Sequence, residues 1–395
     1  MALLTPEIKA FIREHADADP SELALQAKRY PDLPMAFIAQ QVKARRRMGK
    51  KLPTWVANED TVFPTSLSLE QCSSESVARY RAQALDGKAI ADLTGGFGVD
   101  AMAFSERFDR VYHIERDDEL SAIALHNAKI LGQGASFVAV SGDGLDWLKH
   151  HEEPLDALYV DPARRDRRLL KVSALEQCEP NLAGIWDRLI GKAPIVAAKL
   201  SPGLDIDALV AQLPHLREIH VVSIGDECKE LFCIAERGCD REARIICARS
   251  RNEDEWTRFE FLRSEEKAIE ASYAPYSEYL YEPNASIRKA GAFKSLGKEL
   301  GLPLLHPRTH FYSSDRLIDS FPGRIFEVVD AGELRPRSAR RLFADGKANV
   351  LARNAGMDSA ALKRKLGLSD GGDAYAIGLR DVSEKRLLLK CRRLN

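Results

Sequence analysis

The chain has 395 residues, 45% of them apolar and 30% charged, with a net charge of −1 at neutral pH. That length exceeds one ordinary core, so two to four domains are expected; no run approaches the ~18 uninterrupted apolar residues that a bilayer demands, which excludes a helical membrane span. Glu7, Lys9, Arg13 and Glu14 break up any secretory leader, and seven scattered cysteines without a C-x-x-C pair argue for free thiols in a reducing cytoplasm and against zinc.

In chain order, residues 1–60 read as helices. Apolar residues recur at three and four spacings (Ile8, Phe11, Ile12; Phe37, Ile38, Val42), and Asp19-Pro20 and Asp32-Leu33-Pro34 mark the breaks. The region ends in a basic cluster, Lys43, Arg45, Arg46, Arg47, Lys50 and Lys51, for which a solvated helix face and a set of phosphate contacts are equally good readings. A segment Phe63–Glu75 then leads into a helix over Val77–Ala84.

From residue 88 short apolar runs alternate with amphipathic stretches: Ala89–Leu93, Val111–Ile114, Phe137–Val140, Leu155–Val160, Ile195–Ala198, Ile219–Ile224 and Leu231–Ala235. Helical pattern between the first five gives βαβ units and a parallel sheet buried on both faces. Only Gly225–Glu230 separates the last two, too little for a crossover helix, so they pair antiparallel. Beyond residue 250 the expected elements are a helix over Ser286–Leu300, a strand near Phe311, a strand at Arg324–Val329, a helix around Ala339–Phe343, and strands at Val350–Ala352, Tyr375–Leu379 and Leu387–Cys391. Two small α/β units follow from this. Charge is uneven: residues 335–395 hold 15 Lys and Arg against 6 Asp and Glu, a surplus of nine, leaving about −10 on the rest. A basic tail on an acidic body is the asymmetry of a polyanion contact.

The run Ile90-Ala91-Asp92-Leu93-Thr94-Gly95-Gly96-Phe97-Gly98-Val99-Asp100 sets a strand before a glycine-rich turn and a helix. Glycines let the backbone bend sharply and a ligand approach closely, and the helix start presents free N–H groups. The spacing is Asp-x-x-x-Gly-x-Gly, not the dinucleotide G-x-G-x-x-G. An acid at the strand tip repels a pyrophosphate and suits a ligand with a cationic amino-acid end, which points to S-adenosylmethionine, held by Asp92, Thr94, Gly95, Gly96 and Gly98. Glu115, 23 residues after Asp92 at the end of the second strand, is placed to accept both ribose hydroxyls, with Arg116 beside it. Asp143, next to Gly144 after the third strand, accepts from an adenine amino group or caps the following helix.

The fourth strand runs into Asp161-Pro162-Ala163-Arg164-Arg165-Asp166, putting a carboxylate at the open sheet edge with a rigid turn behind it. This resembles motif IV of the class I methyltransferases, and five parallel strands closed by an antiparallel hairpin is similar to their Rossmann-like seven-stranded sheet. Asp-Pro-Ala-Arg looks like the variant of the uracil-5 RNA enzymes, whose nucleophilic Cys follows the fifth strand; here that stretch is Ala198-Lys199-Leu200-Ser201-Pro202-Gly203, so covalent uracil chemistry is not expected. What remains is direct displacement, with Asp161, also beside the cofactor, accepting from the attacking amine, Pro162 fixing the turn, and Arg164 through Lys171 (Arg165, Arg167 and Arg168 between) holding a substrate phosphate. Lys199 and Ser201 are second-rank candidates. Gln71-Cys72-Ser73 is similar to a segment covering the methionine end of the cofactor in RNA methyltransferases; Ser73 serves equally well as an N-cap.

Taken with Tyr281-Glu282-Pro283-Asn284 to His310 and with Arg340 to Leu351, the chain resembles bacterial methyltransferases that carry ferredoxin-like and THUMP-like domains. The resemblance implies a helical region at 1–60, an S-adenosylmethionine-binding domain at 61–245, a ferredoxin-like domain at 246–320 and a basic THUMP-like domain at 321–395. It implies structured RNA as substrate, methylated at a base nitrogen and captured through 335–395, with no metal and no membrane. Two rivals remain: a protein or small-molecule methyltransferase with the same core, and an S-adenosylmethionine-binding RNA adaptor without turnover.

Overall fold

A computed structural model describes residues 4–164, 175–251 and 255–395. The chain divides into two units, Met1–Glu218 with Leu231–Arg241, and Ile219–Glu230 with Glu242–Asn395.

The first unit opens on the helices Pro6–Glu14, Pro20–Leu25, Met35–Met48 and Pro53–Ala57. Thr5 and Asp19 cap the first two, each followed by a proline, where a missing N–H costs nothing. Ile8, Phe11, Ile12, Leu23, Met35, Ile38 and Val42 form their shared core. Much of the basic cluster is absorbed by the fold. Arg45 donates to the carbonyls of Val56, Asn58, Glu59 and Thr61 at 2.8–3.1 Å, Arg46 donates to Ala18, Arg47 pairs with Glu70, and Lys51 donates to Leu69. For these four side chains, loop carbonyls and a carboxylate are the partners rather than phosphate.

The large sheet starts with β1 Ala89–Asp92, β2 Arg110–Glu115, β3 Phe137–Ser141, β4 Ala157–Val160 and β5 Ile195–Leu200, then β6 Leu216–Ile224 and β7 Glu227–Glu236. Their order is β3-β2-β1-β4-β5-β7-β6. The pairs β1–β2, β1–β4, β2–β3 and β4–β5 are parallel and β5–β7 is antiparallel. All four residues of β4 are buried, as a central parallel strand requires. The order reverses direction beside β1 and β4, so the carboxyl ends of those strands flank the crevice in which ligands of open α/β sheets bind.

The second unit adds two strands that went unread, β8 Arg244–Ser250 and β9 Trp256–Leu262, paired antiparallel; β8 lies next to β6, so the sheet counts nine strands rather than seven. A separate six-stranded sheet holds β10 Tyr279–Pro283, β11 Tyr312–Ser314, β12 Gly323–Glu333, β13 Asn349–Ala352, β14 Ala374–Arg380 and β15 Arg386–Arg393, in the order β11-β10-β12-β15-β14-β13. The two small α/β stretches read from the sequence thus share one sheet, joined where Tyr279–Pro283 pairs with Gly323–Glu327. The helix expected over Ser286–Leu300 is two, Ala285–Ala290 and Phe293–Leu300, because Gly291 takes φ +72° and ends the first. Helices Pro336–Leu342 and Ser359–Leu366 contribute Ala339, Leu342, Leu362 and Leu366 to one core cluster of this sheet.

Candidate cofactor cavity and catalytic edge

The carboxyl ends of β1, β2 and β4 open into a cavity of about 860 Å³ within the first unit. Of the predicted residues, Thr94, Gly95, Gly96, Gly98, Glu115, Arg116, Asp143, Gly144 and Asp161 line it.

The turn after β1 owes its shape to its glycines. Gly96 and Gly98 have φ +55° and +87°, where a side chain would be strained. A Cβ on Gly95 would stand 2.5 Å from Nε2 of His113, and one on Gly144 only 2.2 Å from the Leu93 carbonyl oxygen. His113 sits on β2 in register with Asp92, fully buried, its Nε2 3.2 Å from the Gly96 oxygen. Burial lowers its pKa, so a neutral ring protonated at Nε2 props the turn from beneath. The sequence offered no cue to this beyond a histidine in an apolar strand.

Glu115 accepts from the Gly96 N–H through Oε2 (2.7 Å) and from the Asp117 N–H through Oε1 (2.9 Å), fixing its carboxylate across the turn. Asp143 caps the helix Gly144–His150, accepting from Leu145 and Asp146 at 2.9 and 3.0 Å. Its other oxygen takes Arg116 Nε at 2.9 Å, and Arg116 also reaches Glu179 at 3.2 Å.

Asp92 does not line the cavity. It is 1% exposed, and its Oδ1 accepts from the Thr94 N–H (3.0 Å) and from Thr94 Oγ1 (3.3 Å). Burial, then the charge of Asp100, hold its carboxyl well above the usual range. Thr94 Oγ1 in turn accepts from the Asp161 N–H at 2.7 Å. An amide can only donate, so the hydroxyl proton must point to Asp92, and the tips of β1 and β4 are tied by one polarised chain. Asp161 is half-buried and its Oδ2 is ion-paired with Lys199 Nζ, from β5. Pro162 is buried behind it. Arg164 forms, with Ala163, a two-residue strand paired with Cys178–Glu179. Arg165, Arg167, Arg168 and Lys171 fall outside the described residues.

In place of Asp92, Asp100, which the sequence pattern does not single out, joins Glu115, Asp143 and Asp161 on the cavity wall. It pairs with Arg81, a fully buried arginine of the helix Glu75–Gln83, and accepts from Ser73 Oγ at 2.9 Å. Burial alone would raise the Asp100 carboxyl, but Arg81 and Lys199 hold it below its ordinary value. Ser73 is no N-cap: Ser74 takes that place, and Ser73, with Gln71 and Cys72, lines the cavity instead. Three carboxyl groups, Asp92, Asp100 and Asp161, thus gather near two cations, Arg81 and Lys199, with burial favouring the protonated form of Asp92. A floor rich in carboxyl groups beneath the glycine turn fits the sulfonium and ammonium of S-adenosylmethionine.

Comparison with known proteins agrees. Residues 279–322 match a ferredoxin-like domain family and 323–393 a THUMP domain-like family. A candidate methyltransferase from Porphyromonas gingivalis W83, known by its crystal structure, superposes with a TM-score of 0.87 at 30% identity, covering 98% of both chains. An uncharacterized S-adenosylmethionine-dependent methyltransferase of Mycobacterium tuberculosis, in strains H37Rv and CDC 1551, is 28% identical over 343 residues, 84% of this chain and 89% of the relative. The fold is that of a class I methyltransferase, and the cofactor is S-adenosylmethionine. The chain belongs to the family of such enzymes bearing ferredoxin-like and THUMP-like segments at the C-terminal end. Among the described residues no helix is long and apolar enough to cross a membrane.

Proposed function

We propose that this chain methylates a base nitrogen of structured RNA. The observation that carries the chemistry is Asp161: a carboxylate at the open end of β4, held by Thr94 through its amide and by Lys199 through its side chain, on the wall of the cofactor cavity. The THUMP-like match and the surplus of nine cations over 335–395 support RNA as the polyanion. We assign methyl transfer to residues 61–245 and RNA capture to 335–395 together with Arg164–Lys171.

Bound S-adenosylmethionine supplies a methyl group already activated by its sulfonium. The chain supplies alignment and a dry site. Asp100 and Ser73, braced from behind by Arg81, would hold the amino-acid end, Glu115 the ribose, and Asp143 and Gly144 the far rim. Asp92 acts from beneath, through Thr94, keeping the turn and Asp161 in one geometry. Asp161 accepts a hydrogen bond from the attacking N–H and aims the nitrogen lone pair, while Lys199 keeps the carboxylate oriented. The proton leaves to solvent after transfer, so no strong base is needed. A reducing cytoplasm is the setting we read from the scattered spacing of the cysteines.

The test is transfer of labelled methyl from the cofactor to RNA of a strain lacking the gene, followed by digestion to nucleosides. Label in one base-methylated nucleoside is expected. Label confined to protein or to small molecules would overturn the RNA assignment, and tight cofactor binding without any transfer would leave only an adaptor.

A further inference from the structure

The second unit carries an arginine cluster that methyl transfer does not use. Its centre is Glu282 on β10, with 1% of its side chain exposed. Arg324 grips it through Nε (2.7 Å) and Nη2, Arg353 through Nε (2.8 Å) and Nη2 (2.6 Å), and Arg288 lies 3.9 Å away. Arg288 and Arg324 also reach Asp226, at the tip of the β6–β7 hairpin, at 3.0 and 3.6 Å. Beside it Arg249 donates to the Gly225 carbonyl at 2.9 Å, and Arg393 stands opposite Phe326 on the neighbouring strand. The Arg249 guanidinium is held below its ordinary value by burial, then by the charges of Arg251, Arg393 and Arg288, which Asp226 opposes.

Among the described residues, Arg288, Arg324 and Arg353 therefore crowd Glu282 and Asp226, with Arg249 beside them and Arg393, which donates to the Asn395 oxygen, on the neighbouring strand. Guanidinium does not shed its proton in a protein, so the crowding cannot be relieved by titration; a counter-anion must relieve it. One buried glutamate is neutralised by a single arginine, and the others add repulsion unless an anion joins them. Glu282 also locks Arg324 and Arg353 as oriented forks, while Arg288 and Arg353 keep 25% and 30% of their side chains exposed. The five cations come from a turn-flanking strand, a helix and three further strand ends. That spread matches a row of phosphates better than a single one.

We propose that this cluster is a docking site for the phosphodiester backbone of structured RNA, a role that rests on the RNA reading above and gives it a second place of contact. The test is binding of a labelled bulk small-RNA fraction to the full chain across a salt series, for wild type, Arg288→Gln/Arg393→Gln and Arg337→Gln/Arg364→Gln. The second pair removes two exposed cations from the helices Pro336–Leu342 and Ser359–Leu366. A thermal melt checks that each variant is folded. The cluster pair should bind about tenfold or more weakly near 0.1 M salt and flatten the log–log salt slope by about 1–2, the helix pair less. Wild-type affinity and slope in the folded cluster pair, or a larger loss in the helix pair, would overturn the docking site while leaving RNA as substrate. Absence of salt-dependent RNA binding by the wild type would remove both.

Discussion

Two buried ion groups in this molecule are built on opposite charge balances. Beside the cofactor cavity, three carboxyl groups, Asp92, Asp100 and Asp161, outnumber Arg81 and Lys199, although burial keeps a proton on Asp92 until a cationic ligand favours its ionised form; around Glu282, arginines outnumber carboxylates. Both are anchored by a fully or almost fully buried charge, Arg81 in one and Glu282 in the other. The anchor keeps the neighbouring groups rigid and the surplus sets the sign of ligand that is welcomed: a cation in the first, a polyanion in the second. A salt bridge here is better understood as a mount for the unpaired remainder than as a source of stability, since desolvation offsets much of its Coulombic gain.

The sharpest way to break the comparison is at the catalytic edge. Asp161→Asn should lower methyl transfer about 10²–10⁴-fold, the span of a positioned acid–base group, while calorimetry finds cofactor affinity within about threefold of wild type. Unchanged turnover on a validated substrate would mean the edge lies elsewhere. Next, Glu282→Ala strands three arginines and should cost about 3–5 kcal/mol in chemical denaturation; a loss under 1 kcal/mol would show that the mount is dispensable. Gly144→Ala drives a methyl into the Leu93 carbonyl and should cost about 1–3 kcal/mol and weaken cofactor binding as the turn shifts.

The smallest effect concerns pH. Asp92 is held above the usual carboxylate range, so it is neutral in the ligand-free chain until pH passes that raised value. A cationic ligand favours the ionised form. Cofactor affinity should therefore rise with pH through the raised pKa, by less than about tenfold per unit, and Asp92→Asn should flatten the profile in calorimetry. Stability of the free chain runs the other way. The native state keeps a proton that the unfolded chain releases near the ordinary value, so the Asp92 contribution is complete below that value and gone once pH exceeds the raised one.

What was legible in the sequence was what repeats or runs. The first seven strands of the large sheet stood out as apolar stretches because most of them are covered on both faces. β9 did not, since Arg258 and Glu260 alternate with Phe259 and Phe261 on a strand that faces water on one side, and β8 did not because its buried run, Ile245–Ala248, is short and set between Arg244 and Arg249. Gly291 ended a helix that periodicity carried through, as a lone glycine in a helical pattern leaves undecided. At the site, the glycine turn, Glu115 and Asp161 were visible because strand tips are readable positions. Asp100 was hidden by its ordinary role: an acid in the first turn of a helix favours the dipole wherever it occurs, and only the fold brings Arg81, 19 residues earlier, against it. Asp143 offered a cap or a ligand contact in sequence, and the cap is what the helix uses.

The pairing of Tyr279–Pro283 with Gly323–Glu327 has a consequence for how the C-terminal region can be taken apart. The two family matches meet between Pro322 and Gly323, yet that boundary runs through the middle of a hydrogen-bonded sheet. Severing the chain there and separating the pieces would bare a row of N–H and C=O groups on β10 and another on β12, each an invitation to strand exchange and clumping. The ferredoxin-like and THUMP-like segments are therefore obligate companions: neither is a portable module, and fragments meant to carry one of them should keep both.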